Sequence, residues 1–506
     1  MSSVRIFILG LLLLPVVSSL ASGSDEAAKP NIVIFLVDDM GPMDTSVPML
    51  TDESGKPRRH PLNAWYRTPN MERLAAQGVR FSNFYAHTVC SPSRVSIMTG
   101  QNSARHHTTD FIDAYFNNGG PLKPSQWNWE GLDSGDVILA SILRQNGFKT
   151  IHIGKAHFAP FRHEGADPRD LGFDVNIGGS PIGRPASYYG QKGYGEGTEV
   201  AVPHLDKYHG TATYLTEALT IEAKAELDKV IVEGKPFFLY MSHYAVHGPF
   251  DSDPRFATNY KDVDRNERAL AFATMIEGMD KSLGDLMDHL ETRGVAENTL
   301  VLFLGDNGSD APLGAHNSIA SSAPLRGRKG SRWEGGIRVP FVAAWAKPNP
   351  KNKWQNQLPI VAGSVRQEIG NCSDLFPTIT QLIAAAVPAD HPVDGQNLAK
   401  LLAGQPDPDH RDEFLSHYPH RRGVGPGNDY FTLYRRGNWK AVYHHVGRKE
   451  RYELYDLESD PTESNNLAAD NPDKLKSMLK AMARELKAKG AQYPQRNGQP
   501  IKFVMP

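Results

Sequence analysis

The chain has 506 residues, 40% hydrophobic and 22% charged, the balance of a water-soluble protein with a large core, which excludes a disordered or collagen-like chain. Its 55 basic and 57 acidic residues leave a formal charge of −2, too weak a positive field for a nucleic-acid binder that must neutralise many phosphates. Cys90 and Cys372 can form one disulfide at most, so packing and not a disulfide framework has to hold the fold.

In chain order, Arg5 precedes an apolar run over 6–17, and the small residues Ser19 and Ala21 flank Leu20. This pattern predicts a signal peptide over 1–21, cleaved after Ala21, and hence an exported protein, periplasmic or secreted. The run is shorter than the roughly 20 residues of a bilayer span, so no stable membrane anchor is expected. Residues 31–37 are continuously apolar and β-branched, as in a strand buried on both faces of a parallel sheet, and similar runs recur at 150–153, 237–241 and 299–304. Helical patterns lie between them, at 71–77, 136–146, 213–232 and 269–292, the last three stopping at Gly147, Gly234 and Gly294. Another runs over 374–386 and stops near Pro388. The alternation predicts an α/β fold, a large mainly parallel sheet flanked by helices, over 29–404. Beyond Gly404 the texture changes. Short antiparallel strands at 430–434, 439–443 and 451–455 and an amphipathic helix over 472–489 predict a smaller α+β subdomain over 405–506.

In such sheets, polar residues just past the carboxyl ends of the strands converge on the ligand crevice. Asp38 and Asp39 follow one predicted strand, and Asp306 and Asn307 follow another. Oxygen donors without sulfur suit a hard divalent cation, Ca²⁺ or Mg²⁺, better than zinc. Each pair taken alone reads more readily as an ordinary strand-to-loop turn. His243 and His247 have the i,i+4 spacing of zinc ligands on a helix, but the strand-like run before them and Gly248-Pro249 after them predict a strand-end loop.

Cys90-Ser91-Pro92-Ser93-Arg94 is followed by Thr99-Gly100. A lone cysteine reads by default as a buried structural residue or, with Cys372, as a disulfide partner. The full spacing Cys-x-Pro-Ser-Arg-x-x-x-x-Thr-Gly, however, resembles the signature of the type I, formylglycine-dependent sulfatases of the alkaline phosphatase superfamily. The similarity extends through Pro30-Asn31, Asp38-Asp39-Met40-Gly41, Gly154-Lys155-Ala156-His157, Asp306-Asn307-Gly308, Lys329-Gly330, Trp333-Glu-Gly-Gly-Ile-Arg-Val-Pro-Phe341 and Asp374-Leu-Phe-Pro-Thr378.

The resemblance implies that a formylglycine-generating enzyme oxidises Cys90 to formylglycine during export, and that the aldehyde hydrate is the nucleophile. It implies Ca²⁺ held by Asp38, Asp39, Asp306, Asn307 and the modified Cys90. Arg94 would hold the formylglycine, Lys155 and Lys329 would grip the sulfate, His247 or Lys329 would protonate the leaving alcohol, and His157 would serve the step that expels sulfate. The implied substrate is a sulfated polysaccharide or oligosaccharide. Ala156 and Val246 depart from the bulky Trp and the Pro common at those places, which bears on the shape beside the substrate. A phosphonate or phosphodiester hydrolase on the same fold is the alternative enzyme, and an unmodified Cys90 would leave a catalytically weak sugar-binding protein. His417, His420, Arg421 and Arg422, with His444, His445, Arg448 and Arg451, read equally as a basic rim for further anionic sugar units and as a solvated charged surface. His106, His107, Trp127 and Trp129 would contact sugar rings or only pack.

Overall fold

In the computed structural model, which describes residues 29–261, 264–423, 427–447 and 451–506, Asn31–Val37 (β1) is buried along its whole length. It is a central strand of an eight-stranded sheet. The others are Val79–Tyr85 (β2), Lys149–Gly154 (β3), Val175–Ile177 (β4), Phe237–His243 (β5), Thr299–Gly305 (β6), Phe341–Trp345 (β7) and Ser364–Asn371 (β8). Their order is β4-β3-β5-β1-β6-β7-β2-β8. Only β7 runs against its neighbours β6 and β2, so the sheet is mainly parallel, as predicted.

The strands divide their side chains between two cores, as a period of two requires. Val33, Phe35 and Val37 of β1 face one core with the helices Pro69–Gln77, Leu215–Val232 and Glu267–Thr292. Ile32, Ile34 and Leu36 face the other, with the helices Cys90–Thr99, Leu139–Gln145 and Leu375–Leu382. Each such large apolar side chain contributes about 1.5–3 kcal/mol when fully buried, so the cover on both faces is what fixes the sheet.

Four strands of this sheet and the Cys90–Thr99 helix have no counterpart in the sequence reading. β2 carries a register shift between Phe81 and Asn83, which breaks its apolar alternation. β4 is only three residues long, β7 contains two alanines, and β8 is a polar edge strand, half-buried for most of its length. The Cys90–Thr99 helix is buried on all sides, so no apolar stripe marks it.

The second sheet has the order β12-β11-β10-β9, from Glu413–Tyr418 (β9), Phe431–Arg436 (β10), Trp439–His444 (β11) and Tyr452–Asp456 (β12). One face packs on the helix Pro472–Ala488 through Leu475, Leu479 and Met482. The other joins Tyr85, Val89, Ile337 and Ile369, locking it to the first sheet.

This corrects the histidine part of the expected basic rim, whereas Arg421 and Arg451 are exposed and Arg422 is half-buried. His417 lies in β9 and bonds Thr432 Oγ1 at 2.7 Å and Gln492 O at 2.7 Å; His420, His444 and His445 are equally buried. Arg448 and the predicted signal peptide lie outside the described residues, among which no helix is long and apolar enough to cross a membrane.

Candidate active site

The register sets the site. Val37 of β1 stands level with His243 of β5 and Gly305 of β6, and Gly154 of β3 stands level with Ser242. The residues that follow these strands therefore leave the sheet at one edge. Asp38 is tied down through its backbone, its N–H donating to Ala245 O at 2.9 Å and its C=O accepting from Val246 N at 2.6 Å. Asp39 has φ 64°, a left-handed conformation that its N–H bond to Asp306 Oδ1 at 3.1 Å supports.

Oxygens of Asp38, Asp39 and Asp306 lie within 4.8 Å of one another, all buried. Asn307 joins them, donating from Nδ2 to Asp39 Oδ1 at 2.9 Å. Asp38 Oδ1 and Asn307 Oδ1 are buried and accept no hydrogen bond. Burial, then the charge of Asp306, pushes the Asp38 pKa well above the ordinary carboxylate range despite Lys155. Burial would do the same to Asp39, but Lys329 and His247 outweigh it and lower its pKa. Crowded hard donors with spare lone pairs fit an oxygen-ligated dication such as Ca²⁺ or Mg²⁺.

The cations are placed around this cluster. Lys155 Nζ donates to Asp38 Oδ2 at 2.6 Å, and Lys329 Nζ lies 2.6 Å from Asp39 Oδ1. Arg94 is fully buried and spends its donors on Asp306 Oδ2 at 2.9 Å, Lys155 O at 2.9 Å and Ser242 Oγ at 2.7 Å. Its hydrogen bonds thus orient Asp306 and the β3 and β5 ends, and none goes to Cys90.

Cys90 is the first residue of its helix, where the unpaired N–H groups favour a negative neighbour. Cys90 Sγ lies 3.2 Å from His157 Nδ1. The other ring nitrogen is 2.6 Å from Ile112 O and must donate there, which leaves the Nδ1 lone pair facing position 90. Burial and the charge of Lys155 push the His157 pKa well below its ordinary value, so this tautomer persists. Cys372 is a separate buried thiol, its pKa pushed up to about 12 by burial, and no Cys90–Cys372 disulfide forms.

Cys90, His157, His247 and Lys329 open onto one cavity of about 420 Å³. His247 directs Nδ1 to Gly248 O at 2.8 Å and Nε2 toward Asp39 Oδ2 at 3.6 Å. The segment is a strand-end loop, not a helix, so the zinc geometry is absent. His243 lines no part of the cavity; it is buried, bonding Ser282 Oγ at 2.9 Å beside Phe35. His106, His107 and Trp127 also turn inward, to Ser96, Gly490 O and the His420 ring respectively, and Trp129 packs on His163.

The structure thus brings Asp38, Asp39, Cys90, Arg94, Lys155, His157, His247, Asp306, Asn307 and Lys329 together, and leaves His243, His106, His107, Trp127 and Trp129 outside the cavity. It adds some that carried no motif: the Ile112 carbonyl, Ser242, and the cavity wall of Phe111, Tyr115, Phe116 and Arg184, beside which stands Arg422 of the expected basic rim. A signal was present for Tyr115 and Phe116, bulky aromatics beside the turn-forming run Asn117-Asn118-Gly119-Gly120.

Gly154 holds β3 against β5 at the site. It has φ +98°, and a Cβ there would lie 2.0 Å from Ser242 O. Gly154→Ala is expected to cost about 1–3 kcal/mol in backbone strain alone, read as a lower urea midpoint, and to cut activity by displacing Lys155. A variant as stable and active as its parent would contradict this close approach.

A mainly parallel sheet whose strand ends present a carboxylate cluster beside a helix-borne cysteine is an α/β protein with its ligand crevice at the carboxyl edge of the sheet. The Sulfatase family model matches residues 30–385, and the chain belongs to that family. The model for N-sulphoglucosamine sulphohydrolase, C-terminal, matches residues 331–492. The chain is similar to a sulfatase of Formosa agariphila, with 25% identity over 92% of this chain and 90% of that protein. It is 29% identical to N-acetylgalactosamine-6-sulfatase of Mus musculus, over 78% of this chain and 70% of that one. Its fold is like that of Ps i-CgsB, crystallised in complex with k-i-k-neocarrahexaose: TM-score 0.69, 24% identity, 94% of this chain and 95% of that one.

Proposed function

We propose that this sulfatase, exported and matured by a formylglycine-generating enzyme, removes sulfate from a sulfated poly- or oligosaccharide through formylglycine formed at Cys90. The observation that carries this reading is His157 Nδ1 held 3.2 Å from Cys90 Sγ in the wall of a cavity that also presents Lys329 and His247.

Ca²⁺ would be held by Asp38, Asp39, Asp306, Asn307 and the modified residue 90, and when bound it supplies positive field to sulfate oxygens and favours deprotonation of a hydroxyl beside it. The geminal diol of hydrated formylglycine supplies an attacking oxygen together with a second hydroxyl, which an unmodified serine would lack. Lys155 and Lys329 present compact charges to the sulfate. A sugar alcohol is a poor leaving group, so a proton has to reach the bridging oxygen as the S–O bond breaks. Lys329 Nζ delivers it from the cavity wall; His247 Nε2 can do so only after taking a second proton from solvent beside the monoanionic ester, because burial and the charge of Lys329 push its pKa well below the ordinary value. His157 Nδ1 then accepts the proton of the remaining hydroxyl, which drives sulfate out. Ile112 O fixes the ring for that transfer.

The test is sulfate release from defined sulfated saccharides, run beside phosphate and phosphonate esters and beside mass spectrometry of native protein across residues 81–94. Sulfate esters are expected to be the preferred substrates, with residue 90 as the aldehyde. Chelation is expected to abolish activity and lower the Tm, and Ca²⁺ at 100 times its Kd to restore both, a stabilisation of about 2.7 kcal/mol. Faster cleavage of phosphorus esters, or a thiol in every native molecule, would overturn the reading.

A further inference from the structure

Sulfate in the cavity accounts for Lys155 and Lys329, each already paired with a carboxylate of the cluster. Two further arginines line the same cavity, and of these Arg184 is exposed to solvent while Arg422 is drawn into the wall. Arg422 is half-buried in the wall, and its Nε is buried without a hydrogen-bond partner. Among the described residues no carboxylate lies within ion-pair distance of it. Asp110 accepts from Tyr418 Oη at 3.0 Å and from Phe111 N at 2.8 Å, and Asp310 lies 3.5 Å from Arg328. The Arg422 guanidinium carbon stands 5.8 Å from the centroid of the Phe111 ring.

The arginine is held in this place. Its N–H and that of Gly423 both donate to Asp429 Oδ1, at 2.7 and 2.8 Å. Its side chain crosses the backbone next to Lys329, where a Cβ on Gly330 would sit 2.1 Å from Arg422 Nε. Only glycine, at φ +78°, admits that crossing. The result is a fixed, partly desolvated fork of N–H donors immediately beside the lysine assigned to the sulfate. A desolvated cation left unpaired is costly, and a guanidinium matches the two oxygens of a sulfate or a carboxylate.

We infer that Arg422 is a specificity-determining residue that binds a second anionic group, a sulfate or a carboxylate, on the sugar unit bearing the scissile sulfate or on the unit next to it. The inference rests on the sulfatase reading above and adds the substrate class: saccharides with at least two closely spaced anionic groups. A substrate with a single charge, such as an aryl sulfate, leaves Arg422 without its partner and gains nothing from it.

The experiment compares wild type, R422A and R422K on four substrates: an aryl sulfate, a monosulfated neutral saccharide, a disulfated saccharide and a sulfated saccharide with a neighbouring uronate. R422A is expected to lose about 30-fold in kcat/KM on whichever dianionic substrate is bound, chiefly through KM, and to stay within about 3-fold on the aryl sulfate. R422K is expected to recover part of the loss, because it keeps the charge without the fork. The disulfated and uronate arms tell which anion is read. An equal loss on all four substrates, no loss on either dianionic substrate, or wild-type preference for the neutral saccharide would overturn the inference while leaving the sulfatase reading in place. No sulfate release by wild type from any substrate would instead sink the sulfatase reading and this inference with it.

Discussion

Cys90→Ala is expected to lower kcat/KM for sulfate-ester hydrolysis by at least about 10,000-fold, the scale on which enzymes lose activity when their nucleophile is deleted. The fold has no reason to fail with it. The thiol is small, lies at the start of a helix whose other residues are packed on all sides, and forms no disulfide. Truncating it empties the space in front of His157 Nδ1 without unpairing a charge. The Tm should therefore stay close to that of the parent while turnover disappears. Cys90→Ser separates two ideas that alanine merges. A serine keeps one hydroxyl, so it can accept sulfate once but has no second hydroxyl for His157 to deprotonate. A stoichiometric burst of alcohol without turnover is the expected result, and steady turnover by either variant would remove position 90 from the chemistry.

Why position 90 and its neighbours were legible in the sequence, while much around them was not, is a matter of which constraints are local. Asp38, Asp39, Asp306 and Asn307 could be placed because β1 and β6 are continuous apolar runs whose ends mark the crevice of a parallel sheet. Cys90, Arg94, Lys155, His157 and Lys329 could be named because their spacing matches a family signature. Neither signal reaches the tertiary contacts. The bulge in β2 cancels its alternation, and the helix that carries Cys90 is buried all round, which erases its periodicity. The histidines of the C-terminal sheet look like surface charge in sequence. Their partners, such as Thr432 and Gln492 O for His417, come from elsewhere in the chain and turn them into buried, hydrogen-bonded groups. Arg422 was legible only as one member of a basic run; its place beside Lys329 depends on an approach across Gly330 that no local pattern encodes.

Glu334→Gln is expected to destabilise the protein by about 3–5 kcal/mol at neutral pH, the cost of removing one partner from a buried ion network. Glu334 is fully buried where the two sheets meet. Its Oε2 accepts from Tyr85 Oη at 2.6 Å and Arg338 Nε at 2.9 Å, and its Oε1 accepts from Lys440 Nζ at 3.1 Å. Arg435 adds a further charge at 3.5 Å. Against these cations stands one other carboxylate, Glu463, 2.6 Å from Lys440. Burial and the charge of Glu334 raise its pKa to about 7 even with Lys440 opposing. Glutamine preserves shape and volume but leaves Arg338, Arg435 and Lys440 with Glu463 alone, and fuller ionisation of Glu463 recovers only part of the loss. The pH dependence gives the sign. Burial alone would raise the Glu334 pKa, but Lys440, Arg338 and Arg435 outweigh it and hold the carboxyl well below the usual range. A depressed carboxylate stabilises the fold fully above its unfolded pKa, about 4.3, and loses that contribution as the pH falls toward the folded value. The gap between wild type and Glu334→Gln in urea unfolding should therefore be widest at pH 7 and narrow below about pH 4.3. A gap that is small at neutral pH, or one that widens in acid, would show that the network contributes shape and not charge to the junction between the sheets.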